Sequence, residues 1–513
     1  MLARVTETPR VSRRNLLLGA GAAALTGLAG GGIGYAIGRP DGKPSATGAP
    51  TAADAGPPKY RSRPDLRTMP DVTITTRANG TSAGSILLTP ASGAGLWGPL
   101  IVDEKGSPVW FRKVPDPATV AIDFKVQRYR GQPVLTWWEG TIGGTGGQGV
   151  GQGEFVLADR SYREITRVRA AGTEQADQHD FVITPRNTAL FWVYDPIPYD
   201  LTAVGGPRDG VLHDGVIQEI DIATGRKLFE WRASRHVGVD ESYAPLPTGE
   251  AAHLPYDYFH ANSVGLAADG NLIASSRHTW TTYKIDKTTG AVIWRLGGKK
   301  SDFALDARSR FAWQHDFRQR RDGSYGMFDN GAGITKVRDY SRGLVLRLDE
   351  GARKAAFVAE YVHPDRLSAP TQGSFRELAD GGSFVGWGQM PHFTEHNPDG
   401  TVRLAGHLPP DNQSYRAYKA DWAGEPLDQP ALGLRVEGGN VVVDASWNGA
   451  TRVVKWRARS GTQPGALTEA VEAPRSGFET TLMVPGTPEY VVAEAIDASG
   501  KVLGASSAIP VRV

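Results

Sequence analysis

Cysteine is absent from the chain. Disulfides, thiolate metal sites, cysteine nucleophiles and a lipidated cysteine anchor are thereby excluded. A surplus of one sign of charge is missing as well. The 57 Lys and Arg nearly balance 55 Asp and Glu, a formal net charge of +2. With no dense basic patch, neither nucleic acid nor an acidic membrane surface is indicated as a partner. Histidine is scarce, 11 in 513 residues, so any pattern it forms carries weight. Glycine (63) and proline (34) are plentiful, and such punctuation suits many short strands and turns better than long helices. Apolar residues at 40% and charged residues at 22% leave room for a real core.

The N-terminus reads as an export segment. Arg4, Arg10, Arg13 and Arg14 precede an apolar, Gly/Ala-rich run from Leu16 to about Ile37. Ser12-Arg13-Arg14-Asn15-Leu16-Leu17 resembles a twin-arginine signal, whose cargo crosses the membrane already folded through the twin-arginine translocon. A plain secretory signal and a membrane helix with a basic flank are the alternatives. Residues 1–38 are assigned to this segment and 39–59, rich in Pro, Ala, Gly and Ser, to a disordered linker. The expected location is outside the cytoplasm, free if the segment is cleaved and tethered to the membrane if it is not.

From residue 60 to about 426 one pattern recurs. Ile122-Asp123-Phe124, His179-Asp180-Phe181, His260-Ala261-Asn262, His315-Asp316-Phe317 and Gly373-Ser374-Phe375 start five copies, each followed by an apolar strand and further outer strands. A sixth copy is split, with Ser85 to Thr89, Pro99 to Asp103 and Pro108 to Phe111 joined by a returning segment, Ser414 to Trp422. Repeats of about 40–50 residues with four strands each are the signature of propeller blades. The predicted fold is all-β: a six-bladed β-propeller over 60–426, then a small Ig/fibronectin III-like β-sandwich over 427–513, where Ser446-Trp447-Asn448 and Val453-Val454-Lys455-Trp456 carry the sandwich texture. A β-solenoid or stacked sandwiches is the bland alternative.

The innermost strand of each blade lines a central channel, so equivalent positions converge. The first repeat position holds His179, His260 and His315; the third holds Phe124, Phe181, Phe317 and Phe375, read as packing between blades. The His260 copy has Asn262 there, and alternation along a strand places His260 and Asn262 side by side. Arg277, on the returning strand, is predicted nearby. Arginine pairs with oxyanions, asparagine adds a neutral donor, and histidine serves as nucleophile, base or acid. A tetrahedral anion with a departing phenolate suits that set. Gly143-Gly144-Thr145-Gly146-Gly147 lacks the Lys-Ser/Thr of a phosphate loop, which disfavours a nucleotide donor. His278 and His253 are placed at the edge of the pocket, and the other histidines are read as structural.

Phe259-His260-Ala261-Asn262-Ser263, Ser276-Arg277-His278, Tyr283-Lys284-Ile285-Asp286, Ile293-Trp294-Arg295-Leu296-Gly297-Gly298, Gln314-His315-Asp316 and Phe328-Asp329-Asn330-Gly331 together resemble the arylsulfotransferase family that works without a nucleotide donor. The resemblance implies a ping-pong reaction in which a phenolic sulfate ester donates its sulfuryl group to a channel histidine and a phenolic acceptor removes it, with no cofactor. By that likeness His315 is the nucleophile. His260, Asn262 and Arg277 hold the sulfuryl oxygens and assist the leaving phenolate, and His179 helps move phenolic protons. Asn330 is expected to contact substrate or, with Asp329, to orient His315, because Asp316 points away. Two other functions fit the bare residues: a metalloenzyme with a histidine ring, and a non-catalytic binding propeller at the cell surface.

Overall fold

In the computed structural model, residues 59–512 are described, apart from 117, 144–148, 173–174 and 253. The export segment and nearly all of the linker therefore lie outside the described residues, as does His253. The architecture is all-β. Among the described residues, no helix is long and apolar enough to cross a membrane.

Six antiparallel four-stranded units occupy the chain up to Ala420. Their innermost strands are Val120–Tyr129, Ala176–Ile183, Ala261–Leu266, His315–Gln319, Ser374–Glu377 and Tyr418–Ala420. We number the sheets by the order of their remaining strands. Sheet 1 is composite: Tyr418–Ala420 returns from far along the chain to pair with Ser85–Leu88, followed outward by Leu100–Val102 and Pro108–Phe111. The split sixth copy is thus present. Sheets 2 and 3 are joined by a single ladder pair, Gly153 with Ala176. Sheet 6 gains a fifth, outer strand, Thr73–Thr76, which covers its edge.

Neighbouring sheets meet through their inner strands in chain order, and sheet 1 returns to sheet 2. A side-chain relay fixes that order. Asp180 accepts the backbone N–H of Val264, Ser263 that of Phe317, Asp316 that of Phe375, and Ser374 that of Ala417. Each acceptor sits on one sheet and each donor on the next, so a buried amide is satisfied across every one of these joints. Phe181, Phe317 and Phe375, each just after an acceptor, and Phe124, just after Asp123, are at most 2% exposed, as expected for packing residues. Phe375 of sheet 6 lies against Gly326 and Gly343 of sheet 5, where a Cβ would come within 3.0 and 2.3 Å of its ring. Close sheet approach therefore requires both glycines.

The relay corrects one element of the sequence reading. It aligns Asp180, Ser263, Asp316 and Ser374, so the preceding column is His179, Asn262, His315 and Gly373. His260 lies two residues upstream of that column, and the three histidines do not share one repeat position. The inner strand of sheet 4 starts at Ala261, its register shifts between Ala261 and Ser263, and His260 has a φ of 47°. Strict alternation therefore does not link His260 to Asn262.

Beyond residue 430 two further antiparallel sheets share one apolar core that includes Val443, Trp456, Leu482 and Val491. Ala431–Glu437, Asn440–Ser446 and Glu479–Val484 form the first. Ala466–Pro474, Lys455–Gln463, Tyr490–Ile496 and Val502–Ala505 form the second. Asn448 exchanges two hydrogen bonds with the backbone of Phe111, and the Tyr162 hydroxyl donates to the carbonyl of Gly449 at 2.8 Å, which fastens these sheets to sheets 1 and 2.

Candidate active site

Where the inner strands of sheets 3, 4 and 5 begin, four of the chain's histidines gather. The His179 and His260 rings stand edge to face with centroids 4.9 Å apart, and the His260 and His278 rings lie 4.5 Å apart. Arg277 donates from Nη1 to His278 Nε2 at 2.9 Å and from Nη2 to the Pro370 carbonyl at 3.0 Å, with its guanidinium 4.9 Å over the Trp313 ring. His315, 2% exposed, feels Arg277, His260 and His179 electrostatically. Residues up to 136 positions apart in sequence thus meet in one chamber.

Each imidazole has a fixed tautomer. His179 Nδ1 meets Asp177 Oδ1 at 2.5 Å, and His260 Nδ1 meets Asp257 Oδ2 at 2.5 Å. His315 Nδ1 meets Asn330 Oδ1 at 2.7 Å. The Asn330 amide is oriented by Nδ2, which donates to the carbonyls of Ala369 and Gln372 at 2.7 and 3.0 Å. All three partners accept, so the ring proton sits on Nδ1 and Nε2 is the basic nitrogen. His315 Nε2 receives a long hydrogen bond, 3.3 Å, from the backbone N–H of Gln372. His278 Nδ1 donates to the Asp257 carbonyl at 2.6 Å, which makes its Nε2 the acceptor for Arg277.

Burial, joined by the neighbouring Arg277 and the other histidines, pushes His315 well below the ordinary histidine value of 6.5. Burial first, then His179 and Arg277, does the same to His260, and burial with His260 lowers His278 to about 3. Burial holds Tyr194 and Tyr415, which flank His179, as phenols. His260, His278 and His315 are therefore neutral, beside the fixed positive charge of Arg277. One expected result is that chemistry depending on neutral His315 retains its rate as pH falls through 6.5. Its acid limb, read from kcat/KM against pH, lies well below that value. Stability moves the other way. The unfolded chain binds protons near pH 6.5 that the folded histidines refuse, so stability declines as pH drops below that point.

His179, His260, Arg277 and His315 converge as expected, and Asn262 lies in the same layer. Two assignments change in character. Asn262 Nδ2 donates to the Gln314 carbonyl at 2.6 Å, which commits one of its two amide hydrogens to the joint between sheets 4 and 5. Asn330 spends its oxygen on His315 and its Nδ2 on carbonyls, so of the two roles expected for it, substrate contact and orientation of His315, the hydrogen bonds fit the second. The sequence reading missed Asp177 and Asp257. An aspartate two or three residues before a turn-borne histidine was the available signal. His278 belongs inside the chamber, not at its edge. Positive φ at His260 (47°), Trp280 (51°) and Trp313 (58°) shows strained backbone around the chamber, at roughly 1–3 kcal/mol per residue.

Asp257, His260 and His278 place potential ligand atoms within 4.8 Å of one another. Both His Nδ1 atoms there already donate to Asp257, and Arg277 abuts His278, so a cation would displace hydrogen bonds beside a fixed positive charge.

Solved structures similar to this chain include a protein of unknown function from Bacteroides caccae (13% identity, TM-score 0.37, covering 66% of this chain and 99% of that one). A streptogramin B lyase follows at 12% identity and TM-score 0.35, covering 73% and 91%. An exo-β-1,3-galactanase from Phanerochaete chrysosporium follows at 10% and 0.31, covering 78% and 94%. No curated protein matches the chain. The family model for arylsulfotransferase (ASST) matches residues 125–407, a stretch that holds His179, His260, Arg277, His315 and Asn330. With more than half of its length matched, and the four chamber histidines and Arg277 inside the matched stretch, this chain belongs to the arylsulfotransferase family.

Proposed function

We propose that the chain transfers a sulfuryl group from a phenolic sulfate ester to a phenolic acceptor through a sulfohistidine at His315. The observation that carries this reading is a contrast among the imidazoles. His179 and His260 are backed by carboxylates, which suits proton transfer, whereas His315 is backed by the neutral amide of Asn330. Family membership supports the sulfotransferase class.

In the first half-reaction Nε2 of His315 attacks sulfur. The N–S bond forms, the S–O(aryl) bond breaks with its electron pair, and the phenolate departs and takes its proton from solvent. Arg277 offsets the charge on the transferring group and on the leaving oxygen. In the second half-reaction the acceptor phenol gives its proton to the bare Nε2 of a carboxylate-backed imidazole, the phenol oxygen attacks sulfur, the N–S electron pair returns to Nε2 of His315, and the imidazolium releases the proton to solvent.

The six sheets are read as the blades of a closed six-bladed β-propeller over 60–426, supported by their cyclic order and by the composite sheet 1. The two sheets beyond residue 430 are read as a fibronectin III-like domain over 427–513. Export through the twin-arginine route, with a cleaved or anchoring segment over 1–38 and a linker over 39–59, rests on the N-terminal residues alone.

The deciding experiment is intact-mass analysis after mixing the protein with 4-nitrophenyl sulfate and no acceptor. The expected result is a gain of one sulfuryl group, mapped to His315 and discharged by added phenol. Release of nitrophenolate with an adduct on a different residue, or with none in rapid-quench samples, overturns the assignment.

A further inference from the structure

A second cavity, of about 330 Å³, draws its lining from the inner strands of all six sheets. One residue from each sheet stands at the same repeat position, two beyond the relay acceptor: Lys125, Val182, Gly265, Arg318, Arg376 and Tyr418. Three of the six are cationic. This is the far end of the channel. A buried layer containing Asp123, Asp180, Asp316 and Arg416 separates it from the histidine chamber.

The charges in this region do not balance. Lys125 pairs with Asp123 at 2.5 Å and Asp180 at 3.2 Å, and Arg376 pairs with Asp316 at 2.7 Å. Arg318 pairs with Asp180 and lies 3.3 Å from Asp316, and Arg416 reaches Asp123 at 3.2 Å and Asp180 at 3.0 Å. Four cations therefore share three carboxylates. Among the described residues, the buried Nε atoms of Arg318 and Arg376 have no hydrogen-bond partner, and no carboxylate lines the cavity. Lys419 also borders it, but its ammonium is held by Glu104 and Glu395. Excess positive charge in a low-dielectric wall is costly unless an anion offsets it. Arginine N–H groups suit oxyanion oxygens.

We propose that this cavity is a binding site for a small divalent oxyanion of the sulfate type, with Lys125, Arg318 and Arg376 as its cationic wall. Nothing in the sulfuryl-transfer reading requires it. The site is separate from the chamber and can stand if that reading fails.

Gly265 supplies a gentle test. A Cβ there meets Arg318 Nη1 at 3.5 Å and Ile273 Cγ1 at 3.7 Å, ordinary contact, so a side chain fits. Thermal midpoints are measured in sodium sulfate and in sodium chloride at equal ionic strength, for the parent chain and for Gly265→Ala, Gly265→Asp and Arg376→Gln. The parent and Gly265→Ala should show a saturable rise specific to sulfate. Gly265→Asp, with a carboxylate in the ligand's place, should melt higher without sulfate and lack the saturable component. Arg376→Gln should need at least ten times more sulfate to reach half effect. Any sulfate effect in the histidine chamber or on bulk solvation is common to all four proteins and cancels. Absence of a saturable rise in the parent, an unchanged rise in Gly265→Asp, or a parental midpoint in Arg376→Gln each overturns the proposal.

Discussion

Replacing His315 with alanine is expected to lower acceptor-dependent release of nitrophenolate from 4-nitrophenyl sulfate by about 10³- to 10⁶-fold, the range for loss of a covalent nucleophile. The geometry explains the size of the effect. His315 Nε2 is the basic nitrogen of a ring whose Nδ1 is anchored on Asn330, and burial keeps the ring neutral far into acid. No other imidazole in the chamber combines an uncharged backing group with that position. His260→Ala should cost less, about 10²- to 10⁴-fold, as expected for a proton-transfer group, and should spare formation of the mass adduct more than its discharge by a weakly acidic phenol. Asn330→Leu frees the His315 ring to take the other tautomer, so it should reduce turnover with little change in KM. The variants need a folding control, because His315→Ala leaves the buried Asn330 oxygen without its partner at a cost of about 1–3 kcal/mol. Near-parental turnover in a folded His315→Ala protein sinks the nucleophile assignment.

Arg416→Met should be the most destabilising single change, by about 3–5 kcal/mol. Arg416 is fully buried. Its Nη1 donates to Asp123 and Asp180 at 3.2 and 3.0 Å, and its Nη2 donates to the carbonyls of His179 and Asn262 at 3.0 and 2.7 Å. One side chain just before the last inner strand thereby ties together sheets 1, 2, 3 and 4. Methionine approximates its length but strands two carboxylates and two carbonyls in the interior. The penalty should depend on pH. Arg318, Arg416 and Lys125 together hold Asp180 well below the usual carboxylate range against the opposing effect of burial. Without Arg416 that carboxyl protonates more readily, so the deficit is largest near neutral pH and shrinks as pH falls. Denaturant titrations of both proteins at pH 7 and pH 5 check this, and a loss under about 1 kcal/mol at pH 7 counts against the assigned role.

The repeat was legible because its aspartate and phenylalanine do visible work. Asp180 and Asp316 accept an amide from the next sheet, and Phe181 and Phe317 fill the gap beside it. The copy that forms sheet 4 was misaligned because Ser263 performs the aspartate's task with a hydroxyl and Val264 replaces the phenylalanine. With both markers altered, the rare histidine drew the alignment to itself, two residues early. The convergence of His179, His260, Arg277 and His315 survived that slip because the histidines lie near the starts of inner strands and Arg277 just past the end of the strand that pairs back to His260, where a two-residue shift remains inside the chamber. Arg416 could not be recognised, since nothing in Ser414-Tyr415-Arg416-Ala417 shows that two aspartates from distant repeats await it. Thr73–Thr76 was equally silent, because an edge strand buried on neither face carries no apolar alternation.

The composite sheet has a consequence for biosynthesis. Ser85–Leu88 emerges early from the ribosome, yet its inner partner, Tyr418–Ala420, is translated more than three hundred residues later. The same short stretch delivers Arg416. A nascent chain halted before it would carry an unsealed strand and would lack the guanidinium that Asp123 and Asp180 share. Sealing and cross-linking thus arrive in one late event, and premature truncation upstream of Tyr415 should leave an aggregation-prone product rather than a smaller working protein.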